Sequence, residues 1–328
     1  MEVTVLTVAD CPNGPLIEDR LAQALAGRDG VSVTRMEIGS EADAHRFGMR
    51  GSPTLLVNGV DPFAAAGTPF SVSCRMYRTD DGSLEGAPTI TGLRRALQAA
   101  EDGTAVPGAV GRSGLGRIAP VEGGLRAVHQ QVLRALAAGG PAPDRAALAE
   151  VAAPFGRTAG AILADLHALD LLRLDDAGRI RAAYPFSVTP TAHAVDLDGL
   201  ASVQAMCAID ALGMAAMLAT AASVTSTDPH TGQIVTVVVE PDGLHAAWDP
   251  VTAVVLVGQQ AGCGPCEEPD ARRAAADVCC DHINFFASVA GADAWLQAHP
   301  EATGPILDQQ AALDLGTQTF GPSLTSEA

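Results

Sequence analysis

The sequence predicts a mixed protein in three pieces: an α/β domain over residues 1–100, a three-helix segment with a β-wing over 123–186, and an α+β domain over 187–328, with 101–122 as linker. Strand-like runs alternate with a helical pattern in the first hundred residues. The stretch "EDGTAVPGAVGRSGLGRIAP" (101–120), rich in Gly, Pro and Ala, then breaks the pattern. Beyond it helices come first and β-runs later, without an internal repeat, which is the order of an α+β domain.

Each element has its own signal. "VTVLTV" reads as a strand, "PLIEDRLAQALAGR" as a helix, "VSVTRMEI" as a second strand and "TLLVNG" as a third ending in a turn, which makes βαβ plus a hairpin. After the linker, Leu125, Val128, Val132 and Leu136 recur at helical spacing. A second helix follows "PAPD", where Asp144 can cap, and a third runs from Thr158 through Ile162, Leu163 and Leu166 to Leu169. "LLRL" and "RIRAA" flank the turn "DDAG", so the segment reads as a helix-turn-helix with a wing. The apolar run Leu200–Ala222 is read as one buried helix: Asp210 sits near its middle, and it has neither an aromatic belt nor basic flanks. "QIVTVVVE" and "AVVLVG" follow as strands and "ADAWLQAH" as a helix.

Composition excludes several functions. The chain has 328 residues and a formal net charge of -18, which repels phosphate backbones and anionic lipid, so neither nucleic acid nor membrane is expected as a partner. All 20 basic residues are arginine, which rules out a Schiff-base lysine and a lysine-dependent phosphate loop. The N-terminus lacks a basic region followed by a long apolar stretch, so the cytoplasm is the expected compartment. Seven cysteines in a reducing compartment point to catalysis, redox chemistry or metal binding rather than to a disulfide framework.

Cys11, in "DCPNG", falls between a strand and a helix, where the positive helix end favours a thiolate. Ser52-Pro53 precedes a strand in "GSPTLLVNG". Together these resemble a thioredoxin-like domain over the first hundred residues, in which a proline at that place faces the active cysteine. That family's second cysteine falls at Gly14 here, leaving Cys74 in "SVSCRMY" as the candidate second thiol. The alternative is an inert accessory domain.

In "MCAIDALGM", Cys207 and Asp210 are three residues apart and share a helix face. The surroundings are apolar, so the carboxyl should titrate high and be able to donate a proton near neutrality. The plain alternative is a paired core aspartate beside a small buried cysteine, with Met206, Met214 and Met217 as packing. Farther on, "DVCCDHINFF" places Cys279 and Cys280 ahead of Phe285 and Phe286.

These two motifs together resemble the organomercurial (alkylmercury) lyases, over roughly residues 120–320. That family has a cysteine followed three residues later by aspartate, and a second cysteine five residues before a Phe-Phe pair that continues into "ASV" and a tryptophan, here Trp295. It also has a winged-helix-like segment, matching 123–186, and a segment like "VTSTDPHTG"; the family's cysteine in that segment is Asp228 here. The register set by the phenylalanines selects Cys280 over Cys279. The resemblance implies that Cys207 and Cys280, as thiolates, hold the mercury of R–Hg⁺ while Asp210 delivers a proton to carbon, yielding a hydrocarbon and Hg(II). It implies no resident cofactor, with small thiols releasing the metal, and a downstream mercuric reductase or mercury-accepting thiol protein as partner. Cys11 would then accept or pass on mercury.

Cys263 and Cys266, in "GCGPCEEPD", form a CxxC outside that pattern. A metal relay, a reversible disulfide and half of a structural zinc site completed by Cys279 and Cys280 all remain open. His282 beside the cysteines reads as a surface or packing residue, and His129, His167, His193 and His230 show no clustered spacing. Two rival functions stand: a winged-helix regulator sensing metal or redox state, and a lyase-like scaffold acting on another thiophilic metal. Against the regulator, the helix "TAGAILADLHAL" carries Asp165 and no arginine after Arg157.

Overall fold

A computed structural model describes residues 1–28, 30–57, 61–64, 70–79, 83–101, 117–260 and 274–324. The chain divides into two compact units, 1–115 with 264–271, and 116–263 with 272–328. The mixed α/β character read from the pattern is found throughout.

In the first unit the elements run β1 (Glu2–Thr7), α1 (Gly14–Leu25), β2 (Ser32–Glu37), α2 (Glu41–Phe47), β3 (Arg50–Ser52), β4 (Thr54–Val57), β5 (Ser71–Cys74), β6 (Tyr77–Arg78), β7 (Leu84–Glu85) and α3 (Ile90–Glu101). A sheet of order β2-β1-β4 has β1 parallel to β2 and antiparallel to β4. Side chains alternate across a strand, so β1 and β4 supply two cores. Val3, Val5, Leu55 and Val57 pack with Ile17 and Leu21 of α1 and Leu93 and Leu97 of α3. Leu6 and Leu56 pack with Ile38, Ala44 and Met49. The β3–β5 pair is parallel, β6–β7 is a hairpin, and the Ser52-Pro53 bond is cis.

The second unit begins with α4 (Leu125–Ala137), α5 (Ala149–Ala152) and α6 (Ala159–Ala168). Asp144 accepts from the Ala147 N–H, and Thr158 caps α6 through the Ala161 N–H, as their positions suggest. Next come β8 (Leu172–Leu174), β9 (Ile180–Ala183), β10 (Phe186–Ser187), β11 (His193–Leu197) and β12 (Ser202–Ala205), then α7 (Ala208–Leu218), β13 (Ala222–Thr227), β14 (Ile234–Val239) and β15 (Ala246–Asp249). The β-strands from β8 to β15 form one eight-stranded antiparallel sheet, order β15-β14-β13-β11-β12-β10-β9-β8, so the β8–β9 wing is the edge of the large sheet. The rest is β16 (Val254–Val257), β17 (Gln259–Gln260), α8 (Ala275–Val278), β18 (Ile283–Phe286), α9 (Val289–Ala298), β19 (Ala302–Thr303), β20 (Ile306–Leu307) and α10 (Gln309–Phe320). In a small sheet, β18-β16-β20, the strands β16 and β18 are buried at every position, which is why "AVVLVG" and "INFF" do not alternate.

The apolar run 200–222 is not one helix. A turn at Asp198-Gly199 sends Ser202–Ala205 back along β11, and α7 occupies only Ala208–Leu218 before Ala219 turns left-handed (φ 51°). Only α7 is buried almost throughout; β12 is exposed at Ser202 and half-buried at Val203 and Gln204, but it is too short to break the apolar run by its pattern. Among the described residues no helix is long and apolar enough to cross a membrane.

Helix α7 is buried almost all round and is covered by α10. The two cross at Gly213 and Gly316: a Cβ on Gly213 would lie 2.5 Å from the Gly316 carbonyl oxygen, and one on Gly316 would lie 2.9 Å from the Gly213 nitrogen. Gly213→Ala therefore forces the helices apart. Its expected cost is about 2 kcal/mol, read as a drop in Tm of roughly 5 °C.

Candidate active site

Strand β12 ends at Ala205, and the Met206 N–H donates to the Pro185 carbonyl (3.0 Å), so the chain enters α7 from a fixed point. Cys207 is the N-cap residue, extended at φ -156°, and its carbonyl accepts the first helical bond from Ala211. The sulfur thus sits just outside the helix while Asp210 lies in its first turn. The other arm is short: α8, then Cys279, then a 3-10 turn Cys280–His282 leading into β18. Antiparallel pairing of Phe286 with Val254 and Ile283 with Val257 holds that turn against β16.

These arms bring one ligand atom each from Cys207, Asp210 and Cys280 within 4.8 Å of one another. All three are buried, at 2%, 4% and 4% exposure, and the cysteines are free thiols. Oδ2 of Asp210 has no hydrogen-bond partner. Two sulfurs and an oxygen converging in a dry space suit a large soft cation.

Burial pushes the Asp210 carboxyl up to about 7, against the pull of the Arg117 charge. Burial, with Cys280 and Asp210 alongside, raises the Cys207 thiol well above its ordinary value. For Cys280 the strongest single influence, the contact with Cys207, pulls downward; Cys279, burial and Asp210 outweigh it, and the thiol is raised. Both shifts favour the protonated thiol before a metal binds. The thiol protons must leave when a metal binds.

A buried network that the sequence reading missed supports both arms. Arg117, 2% exposed, donates to the Asp170 carbonyl, lies 3.3 Å from Oδ2 of its carboxylate and stacks 3.9 Å from the Tyr184 ring. The Tyr184 hydroxyl donates to Asp170 Oδ1 (3.1 Å) and accepts from the Ala276 N–H (2.9 Å), while the Ala275 N–H donates to Asp170 Oδ2 (3.1 Å). Tyr184 thus holds the helix that leads to Cys280, and its neighbour Pro185 holds the residue before Cys207. No local motif marks Arg117 among 20 arginines.

Cys279, buried beside Cys280, donates its S–H to the Ala275 carbonyl (3.3 Å) and is outside the three-atom cluster. His282 packs near Trp295, and His193 is buried on the Ser226 hydroxyl (2.9 Å), its pKa lowered to about 4 by burial. Cys11 and Cys74 belong to the first unit. Cys263 and Cys266 lie outside the described residues, and with them the four-thiol zinc reading.

Asp228 has a structural part. It is 1% exposed; Oδ1 accepts from the His230 and Thr231 N–H groups (2.8 and 3.1 Å), and Oδ2 accepts from the Ala287 N–H (2.9 Å) just past Phe285-Phe286. Three backbone donors overcome burial and hold its pKa below the ordinary value. Asp228→Ala strands them, at an expected cost of about 3 kcal/mol by denaturant unfolding at neutral pH. The carboxylate's contribution is present above its unfolded pKa and is lost as pH falls through the lower folded one.

The alkylmercury lyase (MerB) family model matches residues 186–321. The alkylmercury lyase of Staphylococcus epidermidis is 30% identical over 189 residues, 58% of this chain and 79% of that one. That of Bacillus cereus is 27% identical over 197 residues, 60% and 82%. That of Streptomyces lividans is 33% identical over 153 residues, 47% and 65%. A crystal structure of the mercury-bound form of MerB2 shares the fold, with a TM-score of 0.50 and 21% identity over 63% of this chain and 93% of that one. The extent of these matches, together with the Cys207–Asp210–Cys280 convergence inside them, places the chain in the alkylmercury lyase family.

Proposed function

We propose that this chain cleaves carbon–mercury bonds by protonolysis, with Cys207 and Cys280 holding the metal and Asp210 managing the proton. The convergence of these three donor atoms within 4.8 Å in a buried site supports it best. One thiol exchanges with the leaving ligand of R–Hg–X, giving S–Hg–R and HX. The ionised fraction of Asp210, substantial at neutral pH with a pKa of about 7, takes the proton of the second thiol. That sulfur joins the metal and loads electron density onto the carbon. Asp210 returns the proton to carbon, the C–Hg bond breaks, and RH leaves with Hg(II) on two thiolates and the carboxylate restored.

Arg117 limits how far burial can raise the acid, and the network around Tyr184 keeps the two sulfurs in register. The reaction needs no resident cofactor, and small thiols or a mercury-accepting protein such as a mercuric reductase would remove the metal. We read residues 123–186 as a winged-helix-like structural cap; Asp165 on α6 pairs with Arg157 (2.6 Å), which speaks against a phosphate-binding face. Residues 1–100 we read as a thioredoxin-like module aiding mercury transfer in the cytoplasm, supported by the βαβ order and Cys11 ahead of α1.

The test is a single turnover of phenylmercury with excess thiol. The parent chain should release one benzene per site and Cys280→Ser none on the same timescale. Parental benzene yield from Cys280→Ser, or one tightly held zinc per chain with Cys280 inert to alkylation, would overturn the reading.

A further inference from the structure

The first unit holds two free thiols that the lyase chemistry does not use, Cys11 half-buried and Cys74 exposed. Cys11 lies on the turn from β1 to α1, its N–H bonded to the Val8 carbonyl (3.3 Å) and its carbonyl accepting from Gly14 (3.0 Å). Asn13 occupies the N-cap position of α1, where an asparagine side chain ordinarily satisfies a helix N–H; here it makes no such bond. Its Nδ2 instead donates to Cys74 Sγ at 3.6 Å. Gly86 leaves room for this, since a Cβ there would lie 2.2 Å from the Asn13 amide oxygen. The amide thus fixes the Cys74 sulfur relative to the turn that carries Cys11.

A second route joins the same two places. Cys74 is the register partner of Ser52 across the parallel β3–β5 pair. Ser52 in turn accepts, through Oγ, from the N–H of Val8 at the start of the Cys11 turn (3.0 Å). Tyr77, three residues past Cys74, donates its hydroxyl to the Pro53 carbonyl (2.7 Å). Burial above all raises that hydroxyl's pKa, and Cys11 adds to the shift, as a near neighbour would. Cys74 is thus tied to the Cys11 turn both through Asn13 and through Ser52.

We propose that Cys11 and Cys74 form a second, solvent-reachable dithiol site that takes one soft thiophilic cation, with Asn13 as its positioning residue. The choice of Hg(II) as that cation rests on the lyase reading; the pairing of the thiols does not. Binding is ligand exchange without electron transfer: two protein S–Hg bonds form as the two mercury–glutathione bonds break, and the proton of each cysteine leaves on a released glutathione thiol. The site differs from a vicinal CxxC in drawing its sulfurs from the β1–α1 turn and from β5.

The full-length chain is equilibrated with mercuric chloride under excess glutathione, and protein-bound mercury is counted after gel filtration. Cys11→Ser and Cys74→Ser should each lose one equivalent, and the double variant that same single equivalent. Because two tethered thiols act at high effective concentration, the parent should keep this equivalent at a glutathione level at least about tenfold above that which strips either single variant. Asn13→Ala should weaken retention several-fold with both thiols present. A double variant that loses two equivalents, or a single variant that loses none, overturns the pairing. Benzene release from phenylmercury in one turnover should stay at the parental rate in all three cysteine variants, so failure of this site and failure of the lyase reading are seen separately.

Discussion

Asp210→Asn is expected to lower single-turnover cleavage of phenylmercury by about 10²–10⁴-fold while making the protein more stable at pH 8. The activity loss is that of a general acid removed from a cluster whose other two members, Cys207 and Cys280, are taken up by the metal. The stability gain follows from linkage. An unfolded aspartate titrates near ~4, whereas burial pushes Asp210 up to about 7. Between those values the folded protein binds more protons than the unfolded chain, so stability falls as pH rises through the window and stays low above it. Asparagine escapes this cost, which is at most about 4 kcal/mol above pH 7 and vanishes below about pH 4. Urea unfolding of parent and variant at pH 5 and pH 8 checks it, and an equal difference at the two pH values would count against a buried, high-titrating acid.

Asp170→Ala should be the most destabilising change outside the three-residue cluster. It removes the acceptor shared by Arg117, the Tyr184 hydroxyl and the Ala275 N–H, leaving a guanidinium 2% exposed without its nearest countercharge. Breaking one side of a buried ion pair costs about 3–5 kcal/mol, whereas replacing both sides by apolar groups is often nearly neutral. The double variant Arg117→Met/Asp170→Ala should therefore recover most of the loss. Arg117→Met alone removes a charge that restrains the Asp210 pKa, so the pH at which Asp210 begins to accept a thiol proton should rise by about one unit. The pH dependence of mercury loading reads that shift, and a purely structural role for Arg117 would leave it unmoved.

The elements with a strong period were legible from composition alone: α4, α6 and α9, the β8–β9 hairpin, and β14 and β16 fall where the pattern puts them. The stretch 200–222 was not, because the four-residue strand Ser202–Ala205 runs into the apolar helix with no proline or glycine between them to mark the break. The site was legible in its chemistry but not in its support. Cys207, Asp210 and Cys280 stand out because an acid and paired thiols are conspicuous in apolar surroundings. Arg117, Asp170 and Tyr184 do not, since they act through contacts 14 to 105 positions apart. Asp228 reads as the absence of a cysteine until its three N–H donors are seen.

The bare backbone contact between Gly213 and Gly316 has a consequence for substrate range. With no side chains to slide on, α7 has almost no freedom to translate or roll. The sulfur at its start and the acid one turn in are therefore carried on a closely packed helix. If Cys207, Asp210 and Cys280 are the reacting groups as proposed, room for bulkier organic groups falls to the short turn carrying Cys280, and tightening or loosening the Tyr184 tether should retune which organomercurials fit without altering the acid.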